Sequence, residues 1–493
     1  MHPRSPLPLA VLAASLLIPT GASAQQRPPN VVFILADDLG WRDTGVYGST
    51  FHETPHIDAL AKRGMMFTDA YAAAAICSPT RASILTGLHP ARIGITTASG
   101  HLERLNLEKK LRARGKKSEP ALAAESVTRL RLEYFTLAEA LNAAGYRTGH
   151  FGKWHLGREP YDPYQQGFDI DLPHFPGPGP SGGYLGPWRF WEGKGARGEH
   201  IEDRMAVEAT NFMRRNKDRP FFLNYWCFSV HAPIQGKPEL VEKYRRKADP
   251  GNSQRNPIYG AMVESLDDAI GTLMSTIDDL GIADDTIVVL FSDNGGMVHR
   301  FDGGVVVTSN APLRWGKSSI YEGGVREPLI VVWPGTTQPG SKSADVVQSV
   351  DFYPTILEMT GTPARPGQKF DGISIAPALR GEPLGREAIY THIPNYTAAT
   401  MQRPSTSVRN GDWKLIRFYC DGPDQGDRHE LYNLREDIGE QNDLAGSDPA
   451  RVEEMGLMID RFLKETGAVV PAANPDYEAG LDPFPDGPAR VGG

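Results

Sequence analysis

Four hard oxygen donors stand in two pairs, Asp37 with Asp38 in "NVVFILADDLG" and Asp293 with Asn294 in "TIVVLFSDNGG", each directly after an apolar, β-branched run. One such pair alone reads as a turn or a helix cap. Two of them closing two such runs, with no His-x-x-His or cysteine pair nearby, suit calcium or magnesium rather than zinc. Three cations accompany them, Arg81, Lys153 in "GKWHLG" and Lys317 in "RWGK", together with His155 in "KWH" and His231 in "VHAP". A metal ion with lysine and arginine clamps a tetrahedral oxyanion during transfer. Two histidines can supply the base and the acid.

The remaining chemical group is Cys77 in "ICSPTRASILTG". Pro79 suits the first turn of a helix, where its missing N–H costs nothing, and "RASILTG" continues that helix to Gly87. Cys77 then sits near a helix N-terminus, where backbone amides and the dipole favour an anion and lower a thiol's pKa. Local physics therefore suggests a thiolate nucleophile, but one open to oxidation outside the cell. The chain has three cysteines, Cys77, Cys227 and Cys420. One pair could bridge and one must be left over.

These residues need a scaffold that gathers strand ends. The runs ending at Asp37 and Asp293, with "RPFFLNYWCFSV" and "PLIVVWPG", read as buried strands. Between them "HIDALAKRG", "TLAEALNAAG" and "VESLDDAIGTLMSTIDDLG" carry helical spacing. The alternation predicts an α/β fold: a large, mostly parallel sheet sandwiched by helices, binding its ligand at the carboxyl ends of the strands. After about residue 383 "VRNGDWKLIRFY" and "HELYNLREDIGEQNDLA" read as an antiparallel sheet, and "DPARVEEMGLMIDRFLKETG" as a closing helix. The expected division is a catalytic domain over 25–383 and a smaller α+β domain over 384–493.

A formal net charge of −8 on 493 residues argues against a nucleic-acid partner, so an anionic ligand must be held by local positive charge. The N-terminus has Arg4, an apolar run from about Leu7 to Ile18 and the small-residue site Ala22-Ser23-Ala24. This reads as a signal peptide over 1–24, too short to span a bilayer well, and implies export to the periplasm or medium without a membrane anchor. Residues 100 to 133 carry the basic cluster "EKKLRARGKK". It reads either as a solvated surface insertion or as a rim attracting a polyanionic substrate. "PHFPGPGPSGGYLGPWRFW" is a Gly/Pro-rich loop ending in aromatics.

Taken in order, "NVVFILADDLG", "TPHIDALAKRG", "CSPTRASILTG", "GYRTGHFGKWHLG", "HAP", "SDNGG", "APLRWGK" and "YEGGVREPLIVVWPG" resemble the type I sulfatases of the alkaline phosphatase superfamily over nearly the whole mature chain. The resemblance implies an alkaline phosphatase-like fold and a sulfuric ester hydrolase. It implies that Cys77 is converted by a maturation enzyme to Cα-formylglycine (3-oxoalanine), whose hydrated aldehyde is the nucleophile. It further implies one calcium ion held by Asp37, Asp38, Asp293, Asn294 and the modified residue 77. Arg81 and Lys153 would stabilise formylglycine and the sulfate oxygens. His155 would take the proton that releases sulfate, and His231 and Lys317 would contact sulfate and protonate the leaving alcohol.

The implied substrate is a sulfated carbohydrate, attacked at a chain end. His299, Arg300 and His392 are the substrate-reading candidates, although Thr391 and Asn395 beside His392 depart from the family's usual aromatic and histidine. Competing readings are a phosphodiesterase or phosphonate monoester hydrolase of the same superfamily, an arylsulfatase on small aryl sulfates, and a non-catalytic glycan-binding protein.

Overall fold

The computed structural model describes residues 27–191, 194–298 and 306–482. The expected signal over 1–24 and the candidates His299 and Arg300 lie outside the described residues. The large sheet has nine strands: β1 (Asn30–Ala36), β2 (Met65–Tyr71), β3 (Arg147–Gly152), β4 (Ile170–Leu172), β5 (Phe221–Trp226), β6 (Thr286–Ser292), β7 (Arg326–Val332), β8 (Ser341–Ser343) and β9 (Val347–Gln348). Their order is β8-β2-β7-β6-β1-β5-β3-β4, with β9 also on β2. Every pairing is parallel except those of β7, which runs antiparallel to β2 and β6.

The sheet is buried on both faces, which explains the unbroken apolar runs. Along β1, Val31, Phe33 and Leu35 enter one core, and Val32, Ile34 and Ala36 enter the other. Helices α1 (Pro55–Arg63), α2 (Cys77–Thr86), α3 (Leu137–Ala143), α4 (Ile201–Asn216), α5 (Pro257–Asp279) and α6 (Phe352–Thr360) divide between the faces. α2, α3 and α6 supply residues to the first core, and α1, α4 and α5 to the second.

A separate four-stranded antiparallel sheet, β10 (Ile389–Ile393), β11 (Ser405–Asn410), β12 (Trp413–Phe418) and β13 (Arg428–Asn433), carries α7 (Pro449–Thr466). Its other side packs Ile389, Ile416 and Phe418 against Ile320, Tyr321 and Val325. The small sheet thus buttresses the segment that leads into β7. Lys414 on β12 pins that segment by bonding Glu322 and Glu440, each at 2.9 Å. No described helix is long and apolar enough to cross a membrane.

Candidate active site

Four adjacent parallel strands end at one edge of the sheet, and each delivers part of the site within five residues of its last strand residue. β1 delivers Asp37 and Asp38, β6 delivers Asp293 and Asn294, β3 delivers Lys153 and His155, and β5 delivers His231. Lys317 comes from the segment before the antiparallel strand β7, which therefore starts at this same edge. Backbone bonds continue past the ladder and lock these ends together, with Asp293 N on Ala36 O at 3.1 Å and Val230 N on Asp37 O at 2.6 Å.

α2 follows β2 and aims its first turn into this edge. Cys77 is its first residue, and Gly87 ends it in the left-handed conformation (φ 65°). All ten residues of α2 are buried although half are polar, because the helix is enclosed by the site as well as by the core. Cys77 and Arg81 are one helical turn apart and share a face. Cys77 Sγ lies 3.6 Å from Asp37 Oδ1, and the Arg81 guanidinium bonds Asp293 Oδ2 at 2.7 and 2.9 Å and the Lys153 carbonyl at 2.8 Å.

Two lysines each meet one aspartate. Lys153 Nζ is 2.6 Å from Asp37 Oδ2, and Lys317 Nζ is 2.7 Å from Asp38 Oδ1. Asn294 donates to Asp38 at 2.8 Å, and His231 Nε2 approaches Asp38 Oδ2 at 3.8 Å. Asp37, Arg81 and Lys153 are wholly enclosed, whereas His231 and Lys317 keep some exposure and mark the side from which a ligand enters. Asp38, His155 and Ser318 adopt left-handed backbone conformations (φ 63°, 59° and 71°), which non-glycine residues hold at a cost that clusters at functional sites.

The electrostatics are uneven. Burial pushes the Asp37 carboxyl well above its usual range, with Lys153 offsetting this only in part and Asp293 and Cys77 adding to it. Burial acts on Asp38 too, but Lys317, His231 and Lys153 outweigh it and hold that carboxyl below its ordinary value. Burial and Lys153 keep His155 well below the histidine norm, hence neutral and able to accept a proton. His231 is lowered by burial, then by Lys317 and Lys153.

These residues fit a hard cation. Donor atoms of Asp37, Asp38, Cys77 and His231 all lie within 4.8 Å of one another, and Asn294 Oδ1 is buried beside them without a hydrogen-bond partner. Crowded carboxylates, one pushed up by burial and by its anionic neighbours, are what a divalent ion would relieve. Asp293 is turned toward Arg81 and the Asp38 amide.

Several supporting residues carry no local sequence signal. His101 Nδ1 lies 2.9 Å from His155 Nε2, leaving Nδ1 as the unpaired nitrogen of His155. Glu202 on α4 accepts the amides of Phe228 and Ser229 at 2.8 and 2.7 Å, and the Tyr184 hydroxyl donates to the carbonyls of Phe228 and His231 at 2.6 and 2.7 Å. Together they shape the turn that carries His231. Tyr184 belongs to the Gly/Pro-rich loop, which that turn draws against the site.

His392 stands apart on β10. It is buried, with its ring nitrogens meeting the Thr406 hydroxyl at 2.8 Å and the Val469 carbonyl at 3.2 Å, so neither is left for a substrate. Cys227 and Cys420 are buried free thiols, as Cys77 is, so no disulfide joins them.

The family model described as Sulfatase matches residues 29–362, and one described as N-sulphoglucosamine sulphohydrolase, C-terminal, matches 314–465. The chain is 33% identical to human arylsulfatase A, over 88% of this chain and 86% of that protein. It is 33% identical to human N-acetylgalactosamine-6-sulfatase, over 92% of this chain and 88% of that one. Among solved structures, Ps i-CgsB in complex with k-i-k-neocarrahexaose superposes with a TM-score of 0.71 at 28% identity, covering 88% of this chain and 93% of that one.

Proposed function

Because this chain belongs to the sulfatase family and is a sulfuric ester hydrolase, we propose that it removes sulfate from a sulfated carbohydrate by means of a formylglycine made from Cys77 and one calcium ion. The observation that carries this reading is the convergence of Cys77, two carboxylate-bound lysines, a buried arginine and two histidines on one sheet edge. A relative named N-acetylgalactosamine-6-sulfatase and a neighbour in complex with k-i-k-neocarrahexaose favour a carbohydrate substrate. The apolar run ahead of Ala22-Ser23-Ala24 supports export, and a maturation enzyme would act on Cys77 before folding buries it.

Asp37, Asp38 and residue 77, with Asp293 and Asn294 beside them, would hold calcium, which when bound supplies a Lewis acid drawing charge from the sulfate oxygens. Formylglycine, once formed, supplies a hydrated aldehyde as the nucleophile. The chain's own groups do the rest. Lys153, Lys317 and Arg81 present fixed positive charge where the sulfate oxygens gain negative charge. His155, neutral and oriented by His101, is the base for the proton whose loss releases sulfate. His231 stands at the open side, and an arriving sulfate ester adds negative charge that raises its proton affinity, fitting it to protonate the leaving sugar hydroxyl.

Kinetics can isolate that acid. His231→Ala is expected to lower kcat on a sugar sulfate by roughly 10²–10⁴-fold, the range of a lost general acid, and to lower it much less on nitrophenyl sulfate, whose leaving group needs no proton. Equal losses on both substrates would remove His231 from that role. The function itself is tested by comparing an aryl sulfate with the matching aryl phosphate, then running a panel of defined sulfated mono- and disaccharides. Sulfate preference and turnover of at least one saccharide are expected. A large phosphate preference would overturn the sulfatase reading for this chain, and turnover of the aryl sulfate alone would overturn the carbohydrate reading.

A further inference from the structure

The basic insertion is built, not loose. Lys110–Leu111 pairs antiparallel with Ala124–Glu125, Ala472–Ala473 pairs with Ala121–Leu122, and Asn395 donates to the Ala124 carbonyl at 2.8 Å. The first of these pairs and Asn395 border a cavity of about 600 Å³ that Ser99, Arg104, Lys110, Arg112, Arg114 and Asn395 line. That volume is within the range, roughly 300–1,000 Å³, of small-molecule sites.

The charge in this cavity is out of balance. Glu125 is the one carboxylate in its lining, and it is already engaged by Arg104 and, at 3.5 Å, by Lys110. Arg112 and Arg114 are exposed and have no carboxylate partner among the described residues. Two uncompensated guanidinium groups lining one hollow, in a protein of net charge −8, form a local well for an anion. The planar fork of arginine matches a sulfate or carboxylate with two parallel hydrogen bonds.

The cavity also touches the catalytic edge. Its lining residues Ser99 and Leu102 flank Gly100 and His101. His101 bonds His155, and Gly100 packs so close that a Cβ there would come within 1.9 Å of the His155 carbonyl oxygen. Arg129, buried, fixes this turn by donating to the carbonyls of Gly100 and Leu102. The turn beside the cavity thus packs directly against the segment that carries His155.

We infer that this cavity binds an anionic group, sulfate or carboxylate, on a saccharide unit linked to the one that loses its sulfate. The inference rests on the carbohydrate reading above and deepens it: the substrate is a polyanionic chain rather than an isolated sulfated sugar. Arg112 and Arg114 hold the neighbouring unit while the reacting sulfate lies among Lys153, Lys317 and His231.

The test uses the mature enzyme and inhibition of nitrophenyl sulfate hydrolysis by dextran sulfate, neutral dextran and inorganic sulfate. The double variant Arg112→Ser/Arg114→Ser is expected to weaken inhibition by dextran sulfate by roughly ten- to a hundredfold, the loss of one or two charge-assisted contacts. Inhibition by inorganic sulfate and the uninhibited rate should not change. The charge-matched control Arg245→Ser/Arg246→Ser, on an exposed helix outside the cavity, should leave dextran sulfate inhibition as it was. Unchanged dextran sulfate inhibition in the cavity variant would overturn the site, as would an equal loss in the control. A parallel loss for inorganic sulfate would overturn it too, placing the arginines in the catalytic pocket. Failure of the carbohydrate reading shows separately, as no turnover on the sulfated saccharide panel.

Discussion

Replacing Cys77 with alanine is expected to reduce sulfate-ester turnover by on the order of 10⁴–10⁶-fold, the cost of deleting a nucleophile from an otherwise intact site. The substitution removes one buried atom at the first residue of α2 and leaves Arg81, Lys153 and Lys317 with their carboxylate or carbonyl partners. Stability should fall by only about 1 kcal/mol, as for a small core truncation, so the unfolding midpoint separates lost chemistry from lost fold. The residual rate should be that of the clamp alone, acting on water instead of a tethered nucleophile. Mass spectrometry of the wild-type peptide spanning residue 77 decides the species. Loss of sulfur in active protein is the expected result, and active protein carrying only cysteine would overturn the formylglycine. Protein made without a maturation enzyme should then match the alanine variant in rate.

The strands that end in the site were readable because burial on both faces writes a continuous apolar run and the acidic residues stop it abruptly, as at Ala36-Asp37 and Ser292-Asp293. The direction of β7 was not readable. Its "PLIVV" looks like the parallel strands, since a strand buried on both faces has the same pattern whichever way it runs. Direction came from the connection, in which the segment carrying Lys317 stays at the catalytic edge and lets β7 start there. Similarly, "HELYNLREDIGEQNDLA" becomes a strand only over Arg428–Asn433, because its later half is polar and is spent on turns around Asp437 and Asn433.

The residue types and spacing at Asp37, Asp38, Lys153 and Lys317, which the structure brings together at one sheet edge, were legible because short motifs carry them. Partners that act across the fold were not. His101 sits in a charged insertion 54 residues from His155, and Glu202 and Tyr184 hold the His231 turn from a helix and a loop. Such contacts depend on the packing of distant segments and leave no local period. His392 shows the converse: a motif drew attention to a histidine whose role in the fold is to join β10 to β11 and to the chain after α7.

On the proposal that the site holds calcium, removing the ion from the mature enzyme is expected to abolish measurable turnover and also to lower the unfolding midpoint. Asp37, Asp38 and Asp293 bring three carboxyl groups into one buried cluster with Arg81, Lys153 and Lys317, and Asn294 Oδ1 has no hydrogen-bond partner in the protein. An ion bound only by the folded chain stabilises it by about 2.7 kcal/mol at a hundred times its Kd, or about 3 °C for a chain of this length. The midpoint in excess calcium should therefore exceed that in chelator, and restoring calcium should restore both the midpoint and the rate. Asp38→Asn keeps the side chain's shape but removes the charge that holds Lys317 and, as proposed, the ion. Its midpoint should no longer respond to calcium, and its rate should fall by at least about 10³-fold, the scale of losing electrostatic stabilisation at the reacting group. A calcium-dependent midpoint that survives in Asp38→Asn would place the ion elsewhere. Full turnover in chelator would leave the lysines and Arg81 as the whole clamp.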